Sequence, residues 1–148
     1  MAPSPSGTGF SLSLERDYKA TPERVFEAFT TPEKVARWFC PTDDYVCTVH
    51  ALDARVGGRY RFEMKHKGGN VHVASGAYEE IERPSKLVFS FMWESNPAAG
   101  DTRITVTLEA RGDVTRVHFV QENLATADFR DRNKAGWSGC LDCMTRLF

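Results

Sequence analysis

The chain has 148 residues, of which 41% are hydrophobic and 26% charged, and its formal net charge is −1. This size and composition are typical of one globular domain and exclude a disordered or fibrous chain. Basic and acidic residues are interspersed, which argues against a nucleic-acid partner and against binding to a membrane surface.

The first nine residues, MAPSPSGTG, have neither the basic start nor the apolar stretch of a secretory signal. We therefore expect residues 1–9 to form a flexible tail ahead of a single domain at residues 10–148. No apolar run is long enough to span a bilayer, so the expected location is the cytoplasm.

Residues 10–18, FSLSLERDY, alternate apolar and polar side chains and predict a first β-strand. Two Thr-Pro-Glu triplets follow, at residues 21–23 and 31–33. In each triplet the threonine can cap a helix, the proline suits the first helical position, and the glutamate favours the positive end of the helix dipole. We expect two short helices in series, with apolar faces formed by Val25, Phe26 and Phe29, and by Val35, Trp38 and Phe39.

Six further strands are predicted, separated by turns rich in Gly, Pro, Asn and Asp. They cover residues 46–52, 59–67, 71–81, 86–94, 102–110 and 114–122. Alternation places two sets of side chains on inward faces, namely Tyr60, Phe62, Met64 and His66, and Leu87, Phe89, Phe91 and Trp93. The tight turns indicate an antiparallel sheet.

The last segment, residues 128–148, returns to helical spacing. One apolar stripe contains Trp137, Cys140, Leu141, Met144 and Phe148. Gly136 and Gly139 inside this helix each cost about 1 kcal/mol relative to Ala. We expect close approach of another backbone or a bound molecule to compensate, and we place the close contact at Gly136.

The element order predicts an α+β fold, in which a curved antiparallel sheet grips the long C-terminal helix. The two short helices are expected to close one end of the curve.

Five stretches of the sequence carry a family resemblance over essentially residues 10–148. They are TPERVFEAFTTPEKVARWF, GGRYRFEM, GAYEEIERPSKLVFSFMW, TRITVTLEARGDVTRVHF and GWSGCLD. Together they resemble the START-like (SRPBCC) superfamily, with its birch-pollen-allergen-like helix-grip fold. Within it the chain is most similar to the branch named after the activator of the heat-shock-protein-90 ATPase.

The resemblance implies a cavity between the sheet and the long helix, whose walls are inward-facing side chains. We expect the lining to be Trp38, Phe39, Tyr60, Phe62, Met64, His66, Phe91, Trp93, Val106, Phe119, Trp137 and Leu141. His50, His72 and His118 are expected on solvated faces or edges.

The leading functional hypothesis is non-catalytic binding of a small hydrophobic or aromatic molecule, lipids included. The first alternative is an enzyme similar to polyketide aromatase/cyclases, with His66, Tyr60 or Tyr78 moving protons. The second is an interaction module that activates a chaperone ATPase. Because no catalytic set or phosphate-binding loop is present in the sequence, we expect no cofactor, and non-catalytic binding is favoured over an enzyme.

Four cysteines, at positions 40, 47, 140 and 143, are expected to be reduced and free of metal. Cys140 and Cys143 form a C-x-x-C pair, but it lies at the C-terminal end of a helix, where the dipole disfavours thiolate. In relatives the last helix usually runs past Phe148, so we expect the Leu147–Phe148 end to be truncated or packed against a partner. A weak homodimer and a chaperone contact are the partners considered.

Overall fold

The computed structural model describes residues 9–148, and the tail expected at the N-terminus lies outside the described residues except for Gly9. In chain order the elements are β1 (Phe10–Tyr18), α1 (Pro22–Thr30), α2 (Pro32–Trp38), β2 (Tyr45–Leu52), β3 (Arg59–His66), β4 (Val71–Glu82), β5 (Lys86–Trp93), β6 (Thr102–Arg111), β7 (Val114–Leu124) and α3 (Ala127–Met144). Two short 3-10 turns lie at Pro97–Ala99 and Thr145–Leu147. The predicted α+β helix-grip fold is confirmed.

All seven strands form one antiparallel sheet in the order β1-β7-β6-β5-β4-β3-β2. The first strand pairs with the last, so β1 and β2 form opposite edges of the sheet. The helices α1 and α2 lie in the connection between these edges. This position explains why two helices follow the first strand: the chain must cross from one edge to the other.

The two threonines expected as helix caps behave differently. The Thr21 hydroxyl accepts a hydrogen bond from the Arg24 backbone N–H at 3.3 Å. Thr31 occupies the N-cap position of α2, as predicted, but its side chain makes no capping hydrogen bond. Thr31 is at the same time the C-cap residue of α1, and its N–H donates to the Glu27 carbonyl at 2.9 Å.

The helix α3 crosses the sheet and buries Trp137, Cys140, Leu141 and Met144. It begins one residue earlier than predicted, where the Thr126 hydroxyl accepts from the Phe129 N–H at 3.0 Å. Regular helix ends at Met144, so the predicted stripe is interrupted before Phe148. Leu147 and Phe148 pack against the core of this same chain.

The close contact of α3 occurs at Gly139. A Cβ atom built there would lie 2.2 Å from the Pro41 carbonyl oxygen, whereas a Cβ at Gly136 meets no atom within 4 Å. The prediction that Gly136 is the close-contact residue is therefore wrong. Only a residue without a side chain lets the helix rest on the backbone that follows α2.

Among the described residues, no helix combines the length and the apolar character needed to cross a membrane.

Candidate functional site

A pocket of about 450 Å³ lies between the first half of α3, the connection after α2, and one end of the sheet. Strands β2 and β4 begin at this end, and β3 and β5 finish there. The buried part of the wall is mostly apolar and consists of Phe39, Met64, Phe129, Trp137, Cys140 and one polar residue, Asn133, with the half-buried Trp93 beside them. The volume falls in the range typical of small-molecule sites, about 300–1,000 Å³.

The floor of the pocket is a cluster of aromatic rings. Phe39 stacks on Trp93 with 6.4 Å between ring centroids and 24° between the planes. The ring centroid of Trp137 lies 5.6 Å from that of Phe39 and 5.2 Å from that of Phe91. Phe91 does not line the pocket but packs against the rings that do. These mutual contacts fix the rings, so the floor offers preformed flat surfaces to a ligand.

A buried polar chain holds the indole of Trp137 in place. The Trp137 Nε1–H donates to Gln121 Oε1 at 3.1 Å, and Gln121 Nε2 donates to Thr102 Oγ1 at 2.8 Å. The Thr102 hydroxyl in turn donates to the Phe91 carbonyl at 2.7 Å. Because Gln121 and Thr102 are buried away from water, their polar side-chain atoms rely on the neighbouring groups in this series for their hydrogen bonds.

Asn133 has the same function for the second tryptophan of the pocket. Its Oδ1 accepts from Trp93 Nε1 at 3.3 Å, and its Nδ2 donates to the Phe129 carbonyl at 2.8 Å. The buried amide therefore links the wall formed by α3 to the wall formed by β5.

The mouth of the pocket is polar, and none of the described residues that line it is a carboxylate. Its exposed or half-buried residues are Tyr45, His72, Ser95, Asn96 and Arg132. Within the part of the chain that the structure describes, Arg132 is the only lining residue with a permanent charge. Its Nε lies 3.2 Å from Asp128 Oδ2, but both side chains are exposed, so solvent weakens this pair.

The structure brings four of the twelve expected cavity residues to the pocket wall: Phe39, Met64, Trp93 and Trp137. The other eight do not line it, namely Trp38, Tyr60, Phe62, His66, Phe91, Val106, Phe119 and Leu141. Seven of these are buried in the core, and His66 is half-buried, with its ring 4.9 Å from that of Tyr45. The reason is that side chains fill the space between the middle of the sheet and the second half of α3.

Sequence reasoning missed most of the α3 side of the wall. Phe129 and Asn133 lie eight and four residues before Trp137, so extending the apolar stripe backwards would have placed them on the same helix face. His72 is exposed, as expected, but it also borders the pocket, with its ring 6.2 Å from that of Trp93. The sequence pattern of β4 does not single out His72, because exposed and half-buried residues occupy both faces of this strand.

The residues expected to move protons in the enzyme alternative do not reach the pocket. Tyr60 donates its hydroxyl hydrogen to the Ser90 carbonyl, and burial raises its pKa well above the ordinary value. Burial likewise raises the pKa of Tyr78. His66 Nδ1 accepts from the Gly68 N–H at 3.0 Å.

All four cysteines are free thiols and buried. Burial raises the pKa of the Cys140 thiol, which touches the pocket, well above its ordinary value. Within residues 9–148 no group of three or more His, Cys, Asp or Glu side chains is arranged to hold a metal ion.

Comparisons with known proteins identify the family. The fold matches that of a Chromobacterium violaceum protein, solved by X-ray crystallography, with a TM-score of 0.86, 30% identity and 97% of each chain covered. The solution structure of the AHSA1-like protein from Aeromonas hydrophila matches with a TM-score of 0.76 and 26% identity, covering 93% of this chain and 90% of that one. A Mycobacterium smegmatis protein shares the fold at 18% identity, with a TM-score of 0.81 and coverage of 93% and 90%.

No curated protein matches the sequence. Residues 19–148 match the family described as Activator of Hsp90 ATPase homolog 1-like protein. The chain therefore belongs to the Activator of Hsp90 ATPase homolog 1-like family, as its sequence resemblance indicated.

Proposed function

We propose that this protein binds a small apolar or aromatic molecule in the pocket at the first half of α3, without transforming it. The observation that carries the proposal is the combination of a preformed aromatic floor with a polar mouth in a space of about 450 Å³. A flat ligand would lie against Phe39, Trp93 and Trp137, whose rings already hold one another in position.

Burial of the ligand's apolar surface supplies the driving force, at about 25 cal/mol per Å². The loss of translational and rotational freedom offsets much of this gain, so micromolar affinity is expected. Because the site is preformed, little of the binding energy is spent on ordering the protein.

The mouth favours a neutral or acidic polar group over a basic one. Arg132 provides a permanent positive charge, and Tyr45, His72, Ser95 and Asn96 provide hydrogen-bonding groups. A ligand carboxylate near Arg132 would compete with Asp128, whose pairing with Arg132 is exposed and weak.

Binding without turnover is supported by the chemistry of the wall. The Cys140 thiol, a candidate nucleophile on the wall, is held protonated by burial. The residues to which the cyclase-like alternative assigned proton transfer, Tyr60, Tyr78 and His66, are not among the lining residues. The chaperone-activator alternative rests on the family name, and an ATPase assay with a purified chaperone tests it directly.

A ligand screen with a pocket-filling variant tests the proposal. Gly136 lines the pocket and has open space above it, so Gly136→Leu would place a side chain where the ligand lies. Ala135→Leu adds the same side chain at the neighbouring exposed position, which is outside the lining, and serves as the matched control.

Apolar and aromatic compounds would be screened by tryptophan fluorescence, and hits would be measured by calorimetry. We expect Gly136→Leu to abolish binding while Ala135→Leu leaves it unchanged. Arg132→Gln should weaken binding of a carboxylate ligand severalfold and leave its neutral analogue unaffected. Binding that survives in Gly136→Leu, or a screen without any hit, would overturn the proposal.

A further inference from the structure

Two cysteines that are far apart in the sequence meet at the end of α3. Cys40 follows α2 and Cys143 lies in the last turn of α3, 103 positions further along the chain, yet their Sγ atoms are 3.3 Å apart. Cys40 is 9% exposed and Cys143 is 8% exposed, so a narrow surface of the pair remains open to solvent. Neither residue belongs to the pocket wall.

The surrounding backbone holds the two sulfur atoms together. Both thiols lie near the Arg37 carbonyl oxygen, at 3.9 Å for Cys40 and 3.6 Å for Cys143. The contact between Gly139 and the Pro41 carbonyl brings α3 against this same connection. An S–S bond is about 2.05 Å long, so forming it requires the sulfurs to close by about 1.2 Å, which side-chain rotation can supply.

This pairing differs from the one that the sequence draws attention to. In the C-x-x-C motif, Cys140 and Cys143 lie on the same helix, whereas the structure places the Cys143 sulfur against Cys40. Cys140 is 2% exposed and is the less accessible thiol of the motif.

We propose that Cys40 and Cys143 are a redox-active dithiol that forms an intramolecular disulfide on exchange with a low-molecular-weight disulfide. One cysteine thiolate attacks a sulfur of the small disulfide, which gives a mixed disulfide and releases one small thiol. The second cysteine thiolate then attacks the protein-side sulfur and releases the second small thiol. In sum, the two protein thiols are oxidised by two electrons, and the small disulfide is reduced to two thiols.

Charges around the pair set its reactivity. Burial, followed by the hydrogen bond with Cys143, raises the pKa of Cys40 to about 12. The Arg146 guanidinium acts in the opposite direction, and it is held nearby by Asp43 at 2.7 Å. The thiol of Cys47 adds to the raised pKa. Because thiolate is the attacking species, the exchange should be slow at neutral pH and faster in alkaline buffer.

The disulfide would tie together two segments that border the pocket. The connection after α2 carries Phe39 and Pro41, and α3 carries Trp137 and Cys140. The oxidised protein should therefore resist separation of α3 from this connection.

The test uses the folded, full-length protein and oxidised glutathione in mildly alkaline buffer. Free thiols are then alkylated in denaturant, and disulfide-linked peptides are mapped by mass spectrometry. We expect the number of free thiols to fall from four to two, with a single Cys40–Cys143 cross-link. The oxidised form should melt about 10 °C higher than the reduced form, since the cross-link closes a long loop, and reductant should abolish the difference.

Matched variants separate this pair from the other two thiols. Cys47→Ser and Cys140→Ser should still cross-link, while Cys40→Ser and Cys143→Ser should not. Four free thiols in the wild-type protein after prolonged exposure, stable glutathione adducts, or a mapped Cys140–Cys143 bond would each overturn the proposal. The wild-type peptide map decides the question even where a variant fails to fold.

Discussion

The two halves of α3 lie against the same sheet but enclose different interiors. The second half forms a packed end, in which Leu141 and Met144 belong to the same core cluster as Val106 and Phe119 and all four are fully buried. The first half, together with the turn that follows it, forms a pocket end, in which Phe129, Asn133 and Gly136 leave a space of about 450 Å³.

The difference between the two ends is one of side-chain size and polarity. At the pocket end a glycine and an asparagine occupy helix positions that carry large apolar residues at the packed end. The glycine has no side chain to fill the space. The asparagine side chain is held by hydrogen bonds with Trp93 and Phe129, so it cannot turn into the empty volume. In this helix-grip protein the cavity is thus a local property of a few α3 positions.

The largest effect should come from truncating one phenylalanine at each end. Phe119→Ala should lower the free energy of unfolding by about 3–5 kcal/mol, because it leaves a cavity among atoms that cannot collapse. Phe129→Ala should cost only about 1–2 kcal/mol, because its side chain already borders open space. Denaturant unfolding of both variants measures the difference, and equal losses would contradict a distinct packed end.

The two glycines of α3 sharpen the same comparison. Gly139→Ala should lower stability by about 3 kcal/mol, because the new Cβ meets the rigid Pro41 backbone. Gly136→Ala should raise stability by about 0.5–1 kcal/mol, because the methyl group enters open space and helix propensity improves. Thermal and urea unfolding test this pair, and a loss of stability in Gly136→Ala would show that the pocket end is tighter than described.

Trp137 is shared by the two ends, and Gln121 fixes its position. Gln121→Leu should cost about 1–2 kcal/mol, because it leaves the Trp137 indole N–H and the Thr102 hydroxyl without this buried partner. In a Trp137→Phe background the same substitution should cost less, and the double-mutant cycle measures the coupling. If the two substitutions change the free energy of unfolding in a strictly additive way, the hydrogen bond between Trp137 and Gln121 contributes nothing to stability.

The smallest effect concerns ion pairs on exposed parts of the sheet. Hydrogen bonds from Arg116 lower the pKa of Asp17 below its ordinary 3.8, and those from Arg61 lower that of Glu94 below 4.5. The unfolded chain binds these protons more readily, so the contribution of each pair is present above about pH 4 and is lost as the pH falls through the folded-state pKa. Asp17→Asn and Glu94→Gln should each slightly flatten the acid limb of melting temperature against pH, and an unchanged limb would contradict the pairing.

The fold was predictable because it depends on local signals. Period-two alternation in strands such as 59–67 and the two Thr-Pro-Glu triplets fix where elements begin and end, and tight turns force antiparallel neighbours. The element order and the sequence resemblance both indicated that the sheet packs around the last helix. The structure and the comparisons confirm this arrangement.

The pocket wall was less predictable because it depends on which inward-facing residues are covered by others. Val106 and Trp137 both face the interior, but only Trp137 borders empty space. Likewise, nothing local indicates that Cys40 and Cys143 meet, since they come together only when α3 rests on the connection after α2. Sequence periodicity describes positions within one helix or strand, so it cannot reveal a contact between residues that are far apart in the chain.

The pairing of β1 with β7 also sets the timing of folding during synthesis. Asp17 and Arg116, which face each other across this pair, are 99 residues apart. At synthesis rates of about 5–20 residues per second, β7 follows β1 from the ribosome after roughly 5–20 s. Throughout that interval β1 has no native partner strand, and α3 arrives later still to cover the apolar face. The sheet therefore cannot be completed until β7 has left the ribosome, and before that the unpaired edge of β1 exposes the nascent protein to aggregation.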